Sequence, residues 1–265
     1  MGFSSDSRAR RSRFKRLTAI ARAHRDPVLP AGVTPVLINV RDRLAPLTQL
    51  MERLEASGGC EIVLVDNAST YPPLLDYLNS TRHTVVRLER NLGARAPWIS
   101  GLVHEYGFDR NYVVTDPDVV PDENCPDDFL DRFADLLERH PDVGRVGFGL
   151  RIDDLPDDLP RSAQVAIWES QFWEVEREPA VYEADIDTTF ALYRRAQPVR
   201  GSVALRTGFP YVARHLAWYE DPGQPNDEER YYRSHADQTV NSWNNSELPP
   251  HLQAMIDRRS ASENS

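Results

Sequence analysis

Two aspartates, Asp116 and Asp118, stand two positions apart directly after the apolar segment 112–115. Hard divalent cations take oxygen ligands, and two carboxylates at this spacing can lie at one edge of a metal ion. Pro117 between them stiffens the turn. Such a triplet is weak evidence alone, because residues 185–187 form another and the chain has many other acids. Its position after a predicted strand favours a metal site over a solvated turn.

Polar residues also follow two earlier apolar segments. Asp66 and Asn67 come directly after the second segment of the chain, and a turn that caps the next helix is an equally good interpretation of them. After the third segment, Gly93 allows a ligand to approach the backbone closely, and Arg95 can meet its negative charge. These two groups are candidate ligand-binding loops.

The elements that must position these residues alternate along the first half of the chain. Short apolar runs predict strands at residues 35–40, 61–65, 84–88 and 112–115. Helical spacing of apolar residues predicts helices at residues 44–54, 94–106 and 129–137. This alternation predicts an α/β fold with a mostly parallel central sheet and helices on both faces, whose ligands lie beyond the carboxyl ends of the strands. Asp66 and Asp116 fall at that edge.

The second half of the chain is less regular. It begins with a predicted strand at residues 143–152, followed by an acidic loop at 153–160. A helix rich in Trp and Phe is expected at residues 163–175 and a strand at 188–193. Residues 244–265 are polar and are expected to form a frayed tail.

The order of these motifs resembles that of the family 2 glycosyltransferases and their GT-A relatives over roughly residues 34–150. The first strand, the VDNAST turn, the RNLGAR segment and TDPD match in type and order. The resemblance implies a Rossmann-like GT-A sandwich, with a nucleotide-sugar-binding half at 31–150 and an acceptor-binding half at 151–243. It implies that Asp66 contacts the nucleotide base and that Asp116 and Asp118 bind metal and diphosphate. The expected donor-binding set also includes Asn39, Asn67, Asn91, Gly93, Arg95 and Arg214.

The second half resembles the family less closely, and it lacks the QxxRW box of processive synthases. Segments 185–193 and 213–219 look like those in which GT-A enzymes place an acceptor-facing acid and a metal-binding histidine. His215 is therefore a candidate third metal ligand, since imidazole suits manganese-like ions. Asp187 is the first candidate for the base that takes the proton of an acceptor hydroxyl, and Glu169 is the second. The alternatives are a structural histidine and ordinary salt bridges.

The resemblance implies transfer of a sugar from a nucleoside diphosphate donor, expected to be a UDP-sugar, with Mn²⁺ or Mg²⁺ as cofactor. The expected acceptor is a hydroxyl of a glycan or of a lipid-linked sugar, and inversion is the family default. A sugar nucleotidyltransferase is an alternative, although residues 39–43 after the first strand contain no glycine-rich phosphate loop. A non-catalytic glycan-binding homologue is the other alternative, because the standard base motif is missing.

Composition limits the remaining possibilities. The 265 residues, of which 40% are hydrophobic, suffice for one sizeable core. Two distant cysteines indicate neither a disulfide framework nor a zinc site, which favours the cytoplasm. The net charge is -10, yet the predicted arm at residues 1–30 carries eight basic side chains among its first 26 residues. A solvated tail or peripheral contact with an anionic membrane would explain the arm, whereas the acidic remainder disfavours nucleic acid.

Overall fold

The structure, a computed structural model, describes residues 29–30, 32–107, 109–186, 189–195, 202–236 and 250–263. Two predictions fall outside these ranges. One is the basic arm up to residue 28, and the other is the proposed base Asp187. Among the described helices, none combines the length and apolar composition that crossing a membrane requires.

Ten strands in the described part of the chain form one sheet, in the order β3-β2-β1-β4-β9-β6-β10-β8-β7, with β5 paired to β10. Strands β5, β8 and β9 run antiparallel to their neighbours, and the other seven share one direction. The strands are β1 (Thr34–Val40), β2 (Cys60–Asp66), β3 (Thr84–Arg87), β4 (Tyr112–Thr115), β5 (Val119–Pro121), β6 (Val143–Leu150), β7 (Glu176–Glu178), β8 (Val181–Glu183), β9 (Ala191–Tyr193) and β10 (Val203–His215).

The helices connect these strands and follow them. They are α1 (Ala45–Ser57), α2 (Pro72–Ser80), α3 (Ala96–Ile99), α4 (Leu102–Gly107), α5 (Phe129–Arg139), α6 (Ser162–Ser170), α7 (Asp227–His235) and α8 (Pro250–Glu263). Short 3₁₀ turns at Gln171–Trp173 and Leu216–Tyr219 extend α6 and follow β10.

Two hydrophobic clusters hold the layers together, one on each face of the sheet. Along β1, Val36 and Ile38 belong to the first cluster and Leu37 to the second, as expected for a strand buried on both faces. Side chains of α1, α2 and α5 join the first cluster, whereas α3 and α4 join the second. The predicted α/β fold with a largely parallel sheet is confirmed.

Several local predictions differ from the structure. The helix expected at residues 94–106 is divided into α3 and α4, because Gly101 between them adopts a φ of 88°. The turn after β2 does not supply the cap of α2, whose N-cap residue is Tyr71. Residues 250–263, within the expected polar tail, form helix α8, which packs on α6, and its Arg259 donates to the carbonyl of Ile167.

The pairing of β6 with β9 leaves no room for a side chain at Gly147. A Cβ atom there would meet the carbonyl oxygen of Phe190 inside van der Waals distance. We predict that Gly147→Ala lowers the free energy of unfolding by about 1–3 kcal/mol, as overpacking does in cores. Gly223→Ala is the matched control, since its Cβ would meet only the Asp221 side chain at 3.2 Å. Equal urea midpoints for the two variants would contradict the prediction.

Candidate functional site

The carboxyl ends of β1, β2 and β4 lie together because these strands are parallel neighbours. Val40 pairs with Asp66, and Ile38 pairs with Thr115. Asp66 and the residues that follow Thr115 therefore reach the same edge of the sheet, as the alternation of helix and strand predicted.

Strand β10 brings a second group of residues to this edge. His215 pairs with Val119 across the antiparallel β5–β10 ladder, and the amide of Leu216 donates to the carbonyl of Asp118 at 2.8 Å. As a result, His215 Nε2 lies 3.5 Å from Asp118 Oδ2 although the two residues are far apart in the chain. The structure thus unites two of the three predicted metal ligands.

The pair is mostly buried, and its charges stabilise each other. Burial alone would raise the pKa of Asp118, but the charge and hydrogen bond of His215, together with Arg43, lower it to about 2. Burial alone would lower the pKa of His215, yet Asp118, with a smaller effect from Asp116, raises it. In the absence of another cation, the pair is therefore an ion pair over much of the acidic to neutral range.

Asp116, the third predicted ligand, is partly exposed and acts on His215 through its charge. Among the described residues, no three His, Cys, Asp or Glu side chains are gathered into a metal-binding group. The 3.5 Å between His215 Nε2 and Asp118 Oδ2 is somewhat wider than the roughly 3 Å between neighbouring ligands that each lie about 2.1 Å from a six-coordinate ion. His215 Nδ1 is also buried without a hydrogen-bond partner among the described residues, and the ring meets Trp218 edge-on at 4.8 Å.

Arg43, in the loop after β1, is a site residue that the sequence reasoning missed. Its guanidinium contacts Glu229 of α7 at 2.7 Å and lies 4.1 Å above the Tyr232 ring. The charge of Asp118 also acts on it. Its position just beyond a strand at the ligand-binding edge could have indicated a role in the site. The sequence pattern of residues 39–43 indicates only a loop without glycine.

Helix α7 closes this side of the site. The Glu228 carboxylate accepts hydrogen bonds from the backbone amides of Leu44 and Ala45 at the start of α1. The Tyr231 hydroxyl donates to the carbonyl of Thr70 at 2.9 Å. The late helix is therefore attached to the loops after β1 and β2, both of which border the site.

The predicted loop at residues 91–95 is held by Asn67. The buried Asn67 side chain accepts from the amide of Leu92 at 2.7 Å and donates to the carbonyl of Gly93 at 3.0 Å. Asn91 Oδ1 accepts from the amide of Gly93 at 2.8 Å. Asn67 and Asn91 thus shape the loop, and Gly93 adopts a φ of 75° that favours glycine. Arg95 lies at its exposed end.

Asn39 and Asp66 lie beneath this loop. Asn39 is 9% exposed, and its amide nitrogen donates to the carbonyl of Ala94 at 3.4 Å, whereas its Oδ1 has no hydrogen-bond partner among the residues that the structure describes. A buried amide oxygen without a donor is costly in a folded protein, so it marks a place where a ligand donor would be stabilising. Asp66 Oδ1 accepts from the amide of Ser69 at 2.8 Å, which closes the turn after β2.

Arg214 is oriented away from the Asp118–His215 pair. It precedes His215 on β10, and successive side chains of a strand point to opposite faces. Its guanidinium contacts Asp154 at 2.6 Å and Asp122 at 3.3 Å. The structure therefore shows the other interpretation considered for this residue, a pairing with nearby acids, and the grip on a phosphate stays a prediction.

Glu169, on α6, is 2% exposed and forms an ion pair with Arg206 of β10. Burial raises the pKa of its carboxyl to about 7, although the charges of Arg206 and then His215 act in the opposite direction. Glu169 therefore lies within electrostatic range of the Asp118–His215 pair, and it exchanges protons near neutral pH. A carboxyl with such a pKa suits general base catalysis.

Comparison with known proteins gives likenesses of fold only. No family model matches the chain, and no curated protein sequence does. Among solved structures, the mannosyltransferase PcManGT from Pyrobaculum calidifontis, in complex with GDP-Man and Mn²⁺, is 18% identical, with a TM-score of 0.46 over 97% of this chain and 83% of that one. S. aureus TarS 1-349 is 18% identical, with a TM-score of 0.39 over 61% and 47% of the two chains. UDP-glucose pyrophosphorylase with UDP-glucose is 12% identical, with a TM-score of 0.38 over 66% and 74%.

The Asp118–His215 pair makes the stability of the metal-free protein depend on pH. The pKa of Asp118 is lowered in the folded protein, so its contribution to stability is lost as pH falls through about 2. The pKa of His215 is raised above its ordinary value, so its contribution is fully present below that ordinary value and is lost as pH rises through the raised pKa. We predict that His215→Gln costs about 1–2 kcal/mol at pH 5 and less at pH 9. Urea unfolding in EDTA measures this difference, with Asp135→Asn on the exposed side of α5 as the control. A cost for His215→Gln that is equal at the two pH values would contradict the prediction.

Proposed function

We propose that this protein is a glycosyltransferase that moves a sugar from a nucleoside diphosphate donor to a hydroxyl of a glycan or lipid-linked acceptor. The observation that carries the proposal is the Asp118–His215 pair at the carboxyl edge of the sheet. An acid that follows an apolar strand there meets a late histidine, in the order that the family resemblance implies. The polar residues at the neighbouring strand ends support the same interpretation.

The donor nucleoside is proposed to bind at the ends of β1 and β2. Asp66 and Asn39 present side-chain oxygens there, and none of the described residues donates a hydrogen bond to the oxygen of Asn39. The ring nitrogens of a base or the hydroxyls of a ribose would supply hydrogen-bond donors to these oxygens. Asn67 keeps the loop at residues 91–95 in place beside them, with Arg95 at its exposed end as the proposed contact to negative charge.

A divalent cation, Mn²⁺ or Mg²⁺, is proposed to bind between Asp118 and His215, with Asp116 nearby. Such ions are commonly held by one or two carboxylates together with substrate phosphates, which agrees with a protein that gathers two close ligands. The ion, when bound, would neutralise the charge that develops on the leaving diphosphate. Arg43 adds a fixed positive charge on the same side and is held there by Glu229.

The acceptor hydroxyl must lose its proton as it attacks the sugar, and an inverting reaction needs one carboxylate for this step. Asp187 remains the first proposed base, in the sequence between β8 and β9. Glu169 is the alternative, and its pKa of about 7 supports it. Arg206 would hold the Glu169 carboxylate in a fixed orientation.

The proposed donor site predicts that nucleotide-sugar binding depends on both the metal ion and Asp118. We expect one or more of UDP-glucose, UDP-N-acetylglucosamine and GDP-mannose to raise the melting temperature in MnCl₂ but not in EDTA, because a ligand that binds only the native state stabilises it. Asp118→Asn should weaken this binding more than about 10-fold, since even residues that only orient metal ligands have effects of that size. Asp135→Asn is the control for loss of a carboxylate. Wild-type, metal-dependent binding by Asp118→Asn would contradict the assignment.

The two candidate bases are separated by steady-state kinetics at saturating donor. The variant that loses the base should keep its donor affinity and lose turnover by on the order of 10²-fold. We predict this result for Asp187→Asn, with Glu169→Gln as its internal comparison. If Glu169 is the base instead, the wild-type kcat rises with pH through about 7, as its carboxyl loses its proton, and Glu169→Gln lacks that rise. Full turnover in both variants would contradict both assignments.

A further inference from the structure

Strand β10 departs from its neighbour β6 and opens a cavity of about 260 Å³. Thr207 pairs with Phe148 and Val212 pairs with the next residue of β6, so residues 208–211 leave the ladder. The Thr207 hydroxyl donates to the carbonyl of Tyr211 at 2.7 Å and closes this bulge. The cavity is lined by the bulge together with Arg132 and Ala180.

Aromatic side chains border the cavity. Phe209, at the tip of the bulge, is 51% exposed, which is unusual for a side chain of this size. Its ring stacks against Trp173, with centroids 6.4 Å apart and planes 26° from parallel. Trp173 in turn meets the edge of Tyr182 at 5.2 Å, and its indole nitrogen has no hydrogen-bond partner in the part of the chain that the structure describes. The Arg151 guanidinium also lies 5.6 Å from the centroid of the Phe209 ring. Phe209 therefore has two neighbours and still keeps about half of its surface open.

The charges around the cavity are balanced within the protein. Arg132 contacts Asp135 at 3.3 Å and Glu178 at 3.5 Å. The Tyr211 hydroxyl donates to Asp128 at 3.0 Å. Because the cation is shared by two acids and a third acid is close, a phosphate would meet repulsion here, whereas a neutral molecule with many hydroxyls would find donors and acceptors.

The bulge is close to the proposed transfer site along the same strand. Val212, where β10 rejoins β6, precedes His215 by three positions, which in a strand spans about 10 Å. The residues that line the cavity come before Val212 and lie farther from His215 along the chain. A sugar unit of the acceptor some units away from the reacting hydroxyl would therefore lie near residues 208–211.

We propose that the cavity and the Trp173–Phe209 pair bind a neutral saccharide unit of the acceptor, beyond the unit that receives the new sugar. This inference rests on the proposed function. A pyranose ring has an apolar face of C–H groups that packs on an aromatic ring, and hydroxyls around its rim that hydrogen-bond to groups such as Tyr211. The cavity is below the size of most drug-sized ligand pockets, which suits one ring of an extended chain.

Calorimetric titration with maltohexaose, cellohexaose, mannohexaose and chitohexaose tests the proposal. We expect at least one hexasaccharide to bind the wild-type protein and Phe209→Ala to weaken that binding more than 10-fold. Phe209→Trp, which keeps an aromatic face, should restore it. Met255→Ala, which truncates a side chain that is 36% exposed on α8, should leave it unchanged. Binding by none of the four probes, or equal binding by wild type and Phe209→Ala, overturns the proposal.

Donor binding separates this proposal from the proposed function. Phe209→Ala should keep the metal-dependent thermal shift with nucleotide sugars, since Phe209 lies outside the donor-binding residues. If that shift is present and Phe209→Ala does not affect hexasaccharide binding, only the saccharide site is wrong. If hexasaccharide binding depends on Phe209 but no nucleotide sugar binds, the saccharide site stands and the transferase proposal falls.

Discussion

The short antiparallel pairing of β5 with β10 is the interaction on which the candidate site depends. It places His215 opposite Val119 and lets Leu216 donate to the carbonyl of Asp118, so a residue of the second half completes a site begun in the first. Parallel pairing of β1 with β2 and β4 by itself gathers Asp66 and the residues that follow Thr115, but not His215. The proposed metal-binding pair requires a strand that returns from the later part of the chain.

Two cationic side chains act on Asp118 at this edge. Asp118 faces one cationic side chain on each of two elements, His215 on β10 and Arg43 after β1. The guanidinium of Arg43 also contacts Glu229, which limits its movement toward Asp118. Asp118 raises the pKa of His215, so a divalent cation held by both side chains, as proposed above, would have to displace the proton of the imidazole. Metal binding and proton binding at the proposed site would therefore compete.

The fold of the first half could be predicted from the sequence because its strands are buried on both faces and read as continuous apolar runs. The rule that ligands lie beyond the carboxyl ends of parallel strands then placed Asp66 and Asp116 at one edge of the sheet. Sequence spacing could not predict the role of Arg214. The direction of its side chain depends on the alternation of side chains along β10 and on its contact with Asp154, a loop residue. It also missed Arg43, because the partner Glu229 lies on a helix near the other end of the chain. Contacts between residues so far apart in the chain leave no periodic pattern in the sequence.

Helix α7 has a consequence for the order in which the chain can fold. The first backbone amides of α1 are satisfied by Glu228, which lies 184 residues beyond Leu44. Strand β4 reaches β6 only through β9, which is made after both of them. During synthesis from the N-terminus, the early strands therefore keep open edges, and the first amides of α1 bond to water, until the last third of the domain emerges. A sheet with this strand order is completed late in synthesis. Its unfinished form exposes strand edges and apolar surface of the kind that chaperones protect.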